Sequence, residues 1–205
     1  MKNKLIEPKH IMENILFEVY QHPLLTKDNL EDICHAHELK HYKKGDYLLQ
    51  EGQIANEYFI VEEGLIRTFV YHYEGEDITT GFSTKKDVLI EVCSIFSRIP
   101  TNENMQCLTD AQLWKINFTD FQQLFDRIPA FREWGRSWMA SELYKNKKRA
   151  TEMITRPATE RYLQLIKSHP EMILQSPLKY IASYLGITDT SLSRIRKEVV
   201  NNRRK

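Results

Sequence analysis

The chain has 205 residues, a mass of 24.4 kDa, 41% hydrophobic and 28% charged residues, and a formal net charge of +1. This is ordinary composition for a soluble protein able to bury a core in one large or two small units, and no apolar run approaches the ~20 residues of a membrane span. Three scattered cysteines, Cys34, Cys93 and Cys107, form neither a CxxC pair nor an even set, which argues against a disulfide framework and for a cytoplasmic setting.

In chain order, Glu13, Asn14 and Glu18 interrupt the apolar Ile11, Ile15, Leu16 and Val19. That spacing reads as an amphipathic helix and not as a secretory signal. Cys34, His35, His37 and His41 follow as the one ligand-rich cluster, but no partner carboxylate is evident and no metal is expected there. From about residue 41 to 116 the texture changes. Gly45, Gly52, Gly64, Gly75 and Gly81 punctuate β-rich runs such as Tyr58-Phe59-Ile60-Val61 and Ile66-Arg67-Thr68-Phe69-Val70-Tyr71. Short strands with regular turn signals predict an antiparallel sandwich or roll, with Glu74-Gly75-Glu76-Asp77 at a hairpin tip.

Helical texture returns at Thr119. Pro129 suits the first turn of a helix, where its missing N–H costs nothing, and the pattern predicts one long helix from Ala130 to about Ile154. At 1.5 Å per residue its length is about 37 Å, more than one small domain covers. Its apolar residues, among them Phe131, Trp134, Trp138, Met139 and Leu143, fit either a coiled-coil dimer seam or packing against the strand region. Arg156-Pro157 marks a hinge, and a further helix is expected from about Thr159 to Ser168.

Residues 178–197, LKYIASYLGITDTSLSRIRK, read as two helices joined by a tight turn. Leu178, Ile181, Ala182 and Leu185 form one apolar stripe. Gly186 is free to adopt the left-handed conformation that ends a helix, and Thr188 is placed to cap the next one, whose buried stripe is Leu192, Ile195 and Val199. The opposite face carries Thr190, Ser191, Arg194 and Lys197, side chains of suitable reach for a major groove. The pattern predicts a helix-turn-helix with double-stranded DNA as partner; a helical hairpin of an unrelated domain, with Arg194, Arg196 and Lys197 simply solvated, is the alternative. Charge favours the first. Residues 1–144 hold 15 basic and 23 acidic side chains, net −8, whereas residues 145–205 hold 14 and 5, net +9. A basic end on an acidic body is what phosphate binding asks for. Arg203, Arg204 and Lys205 suit either a backbone clamp or a solvated tail.

The order of parts resembles the Crp–Fnr family of bacterial transcription regulators. Lys44-Gly45-Asp46-Tyr47-Leu48-Leu49-Gln50-Glu51-Gly52 is similar to the family's first roll segment and Tyr58-Phe59-Ile60-Val61-Glu62-Glu63-Gly64 to its second. The resemblance implies an α+β fold: an N-terminal antiparallel β-roll of the cyclic-nucleotide-binding type with flanking helices (1–129), a long dimerisation helix (130–155) and a C-terminal helix-turn-helix domain (156–205). It also implies a homodimer on a two-fold symmetric operator, RNA polymerase as a further candidate partner, no enzymatic activity, no resident cofactor and no membrane. For DNA contact it indicates Thr188, Asp189, Thr190, Ser191, Arg194 and Lys197, with Arg194 at the base-reading position. Asp189 suits either a cytosine amino group or simply the helix N-terminus.

For a small-molecule effector pocket the resemblance indicates Glu91, Thr101, Asn102 and Asn146. Relatives that bind cyclic nucleotides carry a Gly-Glu-x-Gly turn and, about ten residues on, Arg-Ser or Arg-Ala. Here Glu91 stands between Ile90 and Val92-Cys93, and Thr101-Asn102 replaces the arginine pair. Loss of the cation that pairs with the cyclic phosphate predicts a pocket that does not take cyclic AMP in the usual way, with Arg98 as the one nearby substitute. A cupin-like metal-dependent enzyme and a scaffold that does not bind DNA are the competing readings.

Overall fold

The computed structural model describes residues 15–202. Two short helices, α1 (Ile15–Val19) and α2 (Lys27–His35), precede eight strands. Thr26 opens α2 with a reciprocal capping box, its hydroxyl accepting from the Asn29 amide while the Asn29 side chain accepts from the Thr26 amide.

The strands are β1 (Glu38–Tyr42), β2 (Tyr47–Leu49), β3 (Glu57–Glu63), β4 (Ile66–Tyr71), β5 (Asp77–Ser83), β6 (Val88–Leu89), β7 (Asn104–Cys107) and β8 (Ala111–Asn117). They form two four-stranded antiparallel sheets of order β1-β8-β3-β6 and β2-β7-β4-β5. This is the expected roll. Tyr58, Phe59, Ile60 and Val61 of β3 are all buried, so this strand has no solvent face. Gly64 then turns the chain at φ +110°. A Cβ there would stand 2.7 Å from the Ala111 Cβ and 2.9 Å from the Asp110 carbonyl oxygen, so the turn needs glycine for conformation and for space.

A short helix α3 (Val92–Ser97) sits between β6 and β7; α4 (Phe118–Arg127) and α5 (Pro129–Thr155) follow the roll. Pro129 does open the long helix, which at 27 residues runs about 40 Å at the standard rise. Its first turns close the roll: Phe131 and Trp134 are buried, Trp134 lies on Tyr20 with ring centroids 4.5 Å apart, and the indole N–H donates to the Val19 carbonyl. Beneath them runs a buried polar chain. The His37 Nδ1 lies 2.7 Å from the Ile33 carbonyl and must donate to it, so Nε2 accepts from the Tyr20 hydroxyl, which in turn accepts from Tyr58. Burial pushes the His37 pKa down to about 4, so the ring is neutral.

The remaining helices are α6 (Ala158–Ser168), α7 (Pro170–Gln175), α8 (Leu178–Tyr184) and α9 (Asp189–Asn202). Tyr162, Leu165, Met172, Ile181, Ala182, Leu185, Leu192 and Ile195 make a second core, and Leu65 and Leu108 from the roll belong to it. The C-terminal helices therefore pack against the roll. Ile11 and the terminal Arg203, Arg204 and Lys205 lie outside the described residues.

Candidate functional site

The turn between α8 and α9 is built by local hydrogen bonds. Gly186 has φ +63°, the Ile187 amide donates to the Ala182 carbonyl and the Gly186 amide to the Ser183 carbonyl, which closes α8 with a left-handed cap. Two residues later the Thr188 hydroxyl accepts from the Ser191 amide at 3.2 Å, capping α9. Ala182 is fully buried where the helices cross, and Leu192 and Ile195 point to the same core. Leu178 departs from the stripe. At 38% exposure it stands in the first turn of α8, directly after Pro177, beyond the crossing.

Burying those two side chains turns the opposite face outward. Thr188, Asp189, Thr190, Arg194 and Lys197 are exposed and Ser191 is half-buried. Thr190, Arg194 and Lys197 recur at i, i+4 and i+7, one stripe along about two turns. Among the described residues neither Arg194 nor Lys197 has an intramolecular hydrogen bond or ion pair. Elsewhere the basic surplus is partly spent inside the fold. Arg149 donates to the Tyr184 carbonyl and lies 4.2 Å above that ring, and Arg161 donates to the Leu185 and Arg156 carbonyls. These arginines brace the turn from α5 and α6, so fewer guanidinium donors are free for direct phosphate contact than the sequence count suggests, although the charge itself is unchanged.

On the other side of the molecule a half-open cleft of about 540 Å³ is walled by apolar Leu48, Leu49, Ile54, Phe59 and Met105, with Glu91 among its polar groups. Glu91 caps α3 by accepting from the Ser94 amide. The neighbouring segment is tied to the roll. Ser94 is buried, with its hydroxyl accepting from the Ala55 amide at 2.8 Å and donating to the Ile99 carbonyl at 2.6 Å. Thr101 is buried as well; its amide donates to Gln53, its carbonyl accepts from Gly52 and its hydroxyl accepts from the Glu103 amide.

Of the four sequence-indicated pocket residues, Glu91 alone lines this cleft. Asn102 is exposed beside Thr101, and Asn146 is exposed on α5. Arg98 is committed elsewhere: its guanidinium donates to the Ala55 carbonyl and Asn56 Oδ1 and lies 4.5 Å from the centre of the Phe118 ring. Sequence reasoning missed Glu103. It accepts from the Thr80 hydroxyl, and burial together with the Glu91 charge raises its pKa. A second carboxyl close to the first makes this region acidic where a cyclic phosphate would need a cation. Cys34, His35, His37 and His41 are dispersed, and among the described residues no group of three or more histidine, cysteine or acidic side chains is placed to hold a metal.

Comparison with known proteins agrees with this geometry. Residues 39–128 match the cyclic nucleotide-binding domain family. A voltage-gated inwardly rectifying potassium channel, KCNH6 of Gallus gallus, is 25% identical over 138 residues; the match takes in 67% of this chain, which spans only 11% of the channel. Electron transport regulator A of Shewanella oneidensis is 23% identical over 182 residues, covering 82% of this chain and 70% of that protein. Among solved structures, a transcriptional regulator of the Crp–Fnr family from Eubacterium rectale superposes with a TM-score of 0.68 at 19% identity, covering 89% of this chain and 88% of that one. Further structural neighbours include a Catabolite Activator Protein of Thermus thermophilus (TM-score 0.57, 15% identity, 92% of this chain and 88% of that one) and FixK2 of Bradyrhizobium japonicum (TM-score 0.71, 17% identity, 81% and 85%). The chain has their fold: a cyclic-nucleotide-binding-type roll joined through a long helix to a helix-turn-helix. No helix among the described residues is long and apolar enough to cross a membrane.

Proposed function

We propose that this protein is a DNA-binding transcription regulator of the Crp–Fnr type that acts as a homodimer, is not an enzyme, and reads its operator with α9. The observation that carries this is the exposed stripe of Thr190, Arg194 and Lys197 on a helix whose other face is locked into a core. Thr188, Asp189 and Ser191 lie at its N-terminus, the end that enters a major groove in helix-turn-helix proteins. The second half of α5 supplies the dimer seam, since Leu143, Tyr144 and Ile154 are 70%, 68% and 87% exposed in the single chain. Two copies would set their reading helices on half-sites about 34–36 Å apart. RNA polymerase is a further partner in this reading.

The cleft is the effector site of the same proposal, and cyclic AMP does not fit its chemistry. Glu57 and Glu91 bring two carboxyls to its lining, while the guanidinium of Arg98 is held by Ala55, Asn56 and Phe118. Selection of bound sequences from a random DNA pool, repeated across salt concentrations, tests the first part. Enrichment of a two-fold symmetric motif with affinity falling as salt rises supports it; recovery of no motif rejects it. Titration calorimetry with cyclic AMP and cyclic GMP tests the second, and micromolar binding lost in Glu91→Ala would overturn it.

A further inference from the structure

Arg67 on β4 has no solvent exposure at all, which is costly for a guanidinium unless every donor is satisfied. Its Nε donates to the Thr79 hydroxyl at 2.8 Å and its Nη1 to the Asp77 carboxylate at 2.9 Å, both on the paired strand β5. The flat faces are covered too. The Phe69 ring lies 4.4 Å away within the roll, and the ring of Tyr180, from the first helix of the helix-turn-helix, lies 3.6 Å away. Beside this stack the Thr79 amide donates across the same junction to the Ser183 hydroxyl at 2.7 Å. A strand amide of the sensor is thus satisfied by a side chain of α8.

The register of β5 adds a second feature. Thr68 pairs with Gly81 and Phe69 with Thr79, which leaves Thr80 as the extra residue of a bulge. Thr80 donates to Glu103, whose carboxyl feels the charge of the cleft-lining Glu91, whereas its neighbour Thr79 bonds with Arg67 and Ser183. Two consecutive residues therefore connect a carboxyl that feels the Glu91 charge with the junction that carries the helix-turn-helix.

We propose that Arg67 and Tyr180 form an interdomain latch: the buried guanidinium is the seat on which α8 docks, and the Thr79–Thr80 bulge ties that seat to the cleft. The latch sets the angle at which α9 is presented; its consequence for an operator rests on the DNA-binding reading above, whereas the latch itself is testable without DNA. A cation stacked on an aromatic ring and removed from water is worth enough that losing it shifts a local opening equilibrium about tenfold.

Hydrogen–deuterium exchange on the free full-length protein is the test. Tyr180→Ala is expected to speed exchange about tenfold in both β5 (77–83) and α8 (178–184), and Tyr180→Phe, which keeps the ring, to leave both near the parent. Thr80→Val removes a hydrogen bond to Glu103 and none to α8, yet it is expected to speed exchange in α8 severalfold through the bulge. Unchanged β5 exchange in Tyr180→Ala, or equal effects of the alanine and phenylalanine variants, overturns the latch. A Thr80→Val effect confined to the roll overturns its link to the cleft. If Tyr180→Ala unfolds the C-terminal helices, seen as equal loss of protection from 158 to 200, Ser183→Ala decides the matter. Faster exchange at 77–83 in that variant then supports the docked seat, and parent-like exchange refutes it.

Discussion

Replacing Leu143 with lysine separates dimerisation from folding, because the side chain is 70% exposed in the single chain and contributes little to its core. Full burial of a leucine side chain is worth about 1.5–3 kcal/mol, so burying the exposed part at a helix seam returns about 1–2 kcal/mol per chain by the same scale. Two-fold symmetry makes the residue count twice, giving about 2–4 kcal/mol per dimer, and a lysine opposite its own copy adds repulsion. At 1.4 kcal/mol per factor of ten, the dimer dissociation constant should rise by about 30- to 1000-fold. Sedimentation equilibrium over a concentration series reads this directly, and the melting temperature of the dilute, monomeric protein should not fall. Operator affinity should drop with dimer affinity, since each half-site then binds without support from the other. A variant that remains dimeric with the parent dissociation constant refutes the seam at Leu143. The interface would then be sought nearer Trp134 and Trp138.

Arg194→Ala should cost about 1–3 kcal/mol of operator binding and relax preference at one base position per half-site; loss spread evenly over all sequences would assign Arg194 to the phosphates instead. Arg98→Ala should lower stability by about 1–2 kcal/mol in urea unfolding through its lost bonds to Ala55 and Asn56, and calorimetric loss of a nucleotide site without that destabilisation would contradict its bracing role. His37 sets an acid limit. Its pKa lies at about 4 in the fold against 6.5 when free, so the neutral ring favours the native state above pH 6.5 and that advantage is lost as pH falls towards 4. The difference amounts to about 3 kcal/mol, and urea midpoints measured from pH 7 to 4 should fall more steeply in the parent than in His37→Gln.

Features fixed by neighbours in the chain were readable beforehand. Gly186 ends α8 and Thr188 caps α9 through bonds that span three to five residues, so the turn was evident from a short window. Pro129 marked the start of α5 for the same reason. Arg67 was not readable. In a strand alternating Ile66, Arg67, Thr68 and Phe69 it looks like an ordinary outward residue, and its partners stand at 77, 79 and 180. Which arginines keep free donors was hidden for a related reason. Arg149 and Arg161 add to the basic total of the C-terminal end, but their donors are directed at the Tyr184 and Leu185 carbonyls, which become neighbours only when α5 and α6 fold back on the turn.

The sensor segment from Glu91 to Thr101 shows what the missing arginine and glycines mean physically. Glu91 is engaged with the Ser94 amide, Ser94 with Ala55 and Ile99, Arg98 with Ala55 and Asn56, and Thr101 with Gln53 and Gly52. The donors in these contacts, the Ser94 and Ala55 amides, the Ser94 hydroxyl and the Arg98 guanidinium, are thus engaged within the protein and not open to an anion. Arg98 is itself in the left-handed region at φ +55°, which aims its side chain back over Phe118 and away from the opposite acids. The segment is tied to the roll by these bonds. What a ligand would meet at the cleft is an apolar wall with the carboxyls of Glu57 and Glu91, and the Glu91 charge acts on Glu103, to which Thr80 donates. The adjacent Thr79 is bonded to the helix-turn-helix. A change in charge or volume at Glu91 and Glu103 thus has a path of three residues to the junction that orients α9, and that path runs through the strand rather than through the long helix.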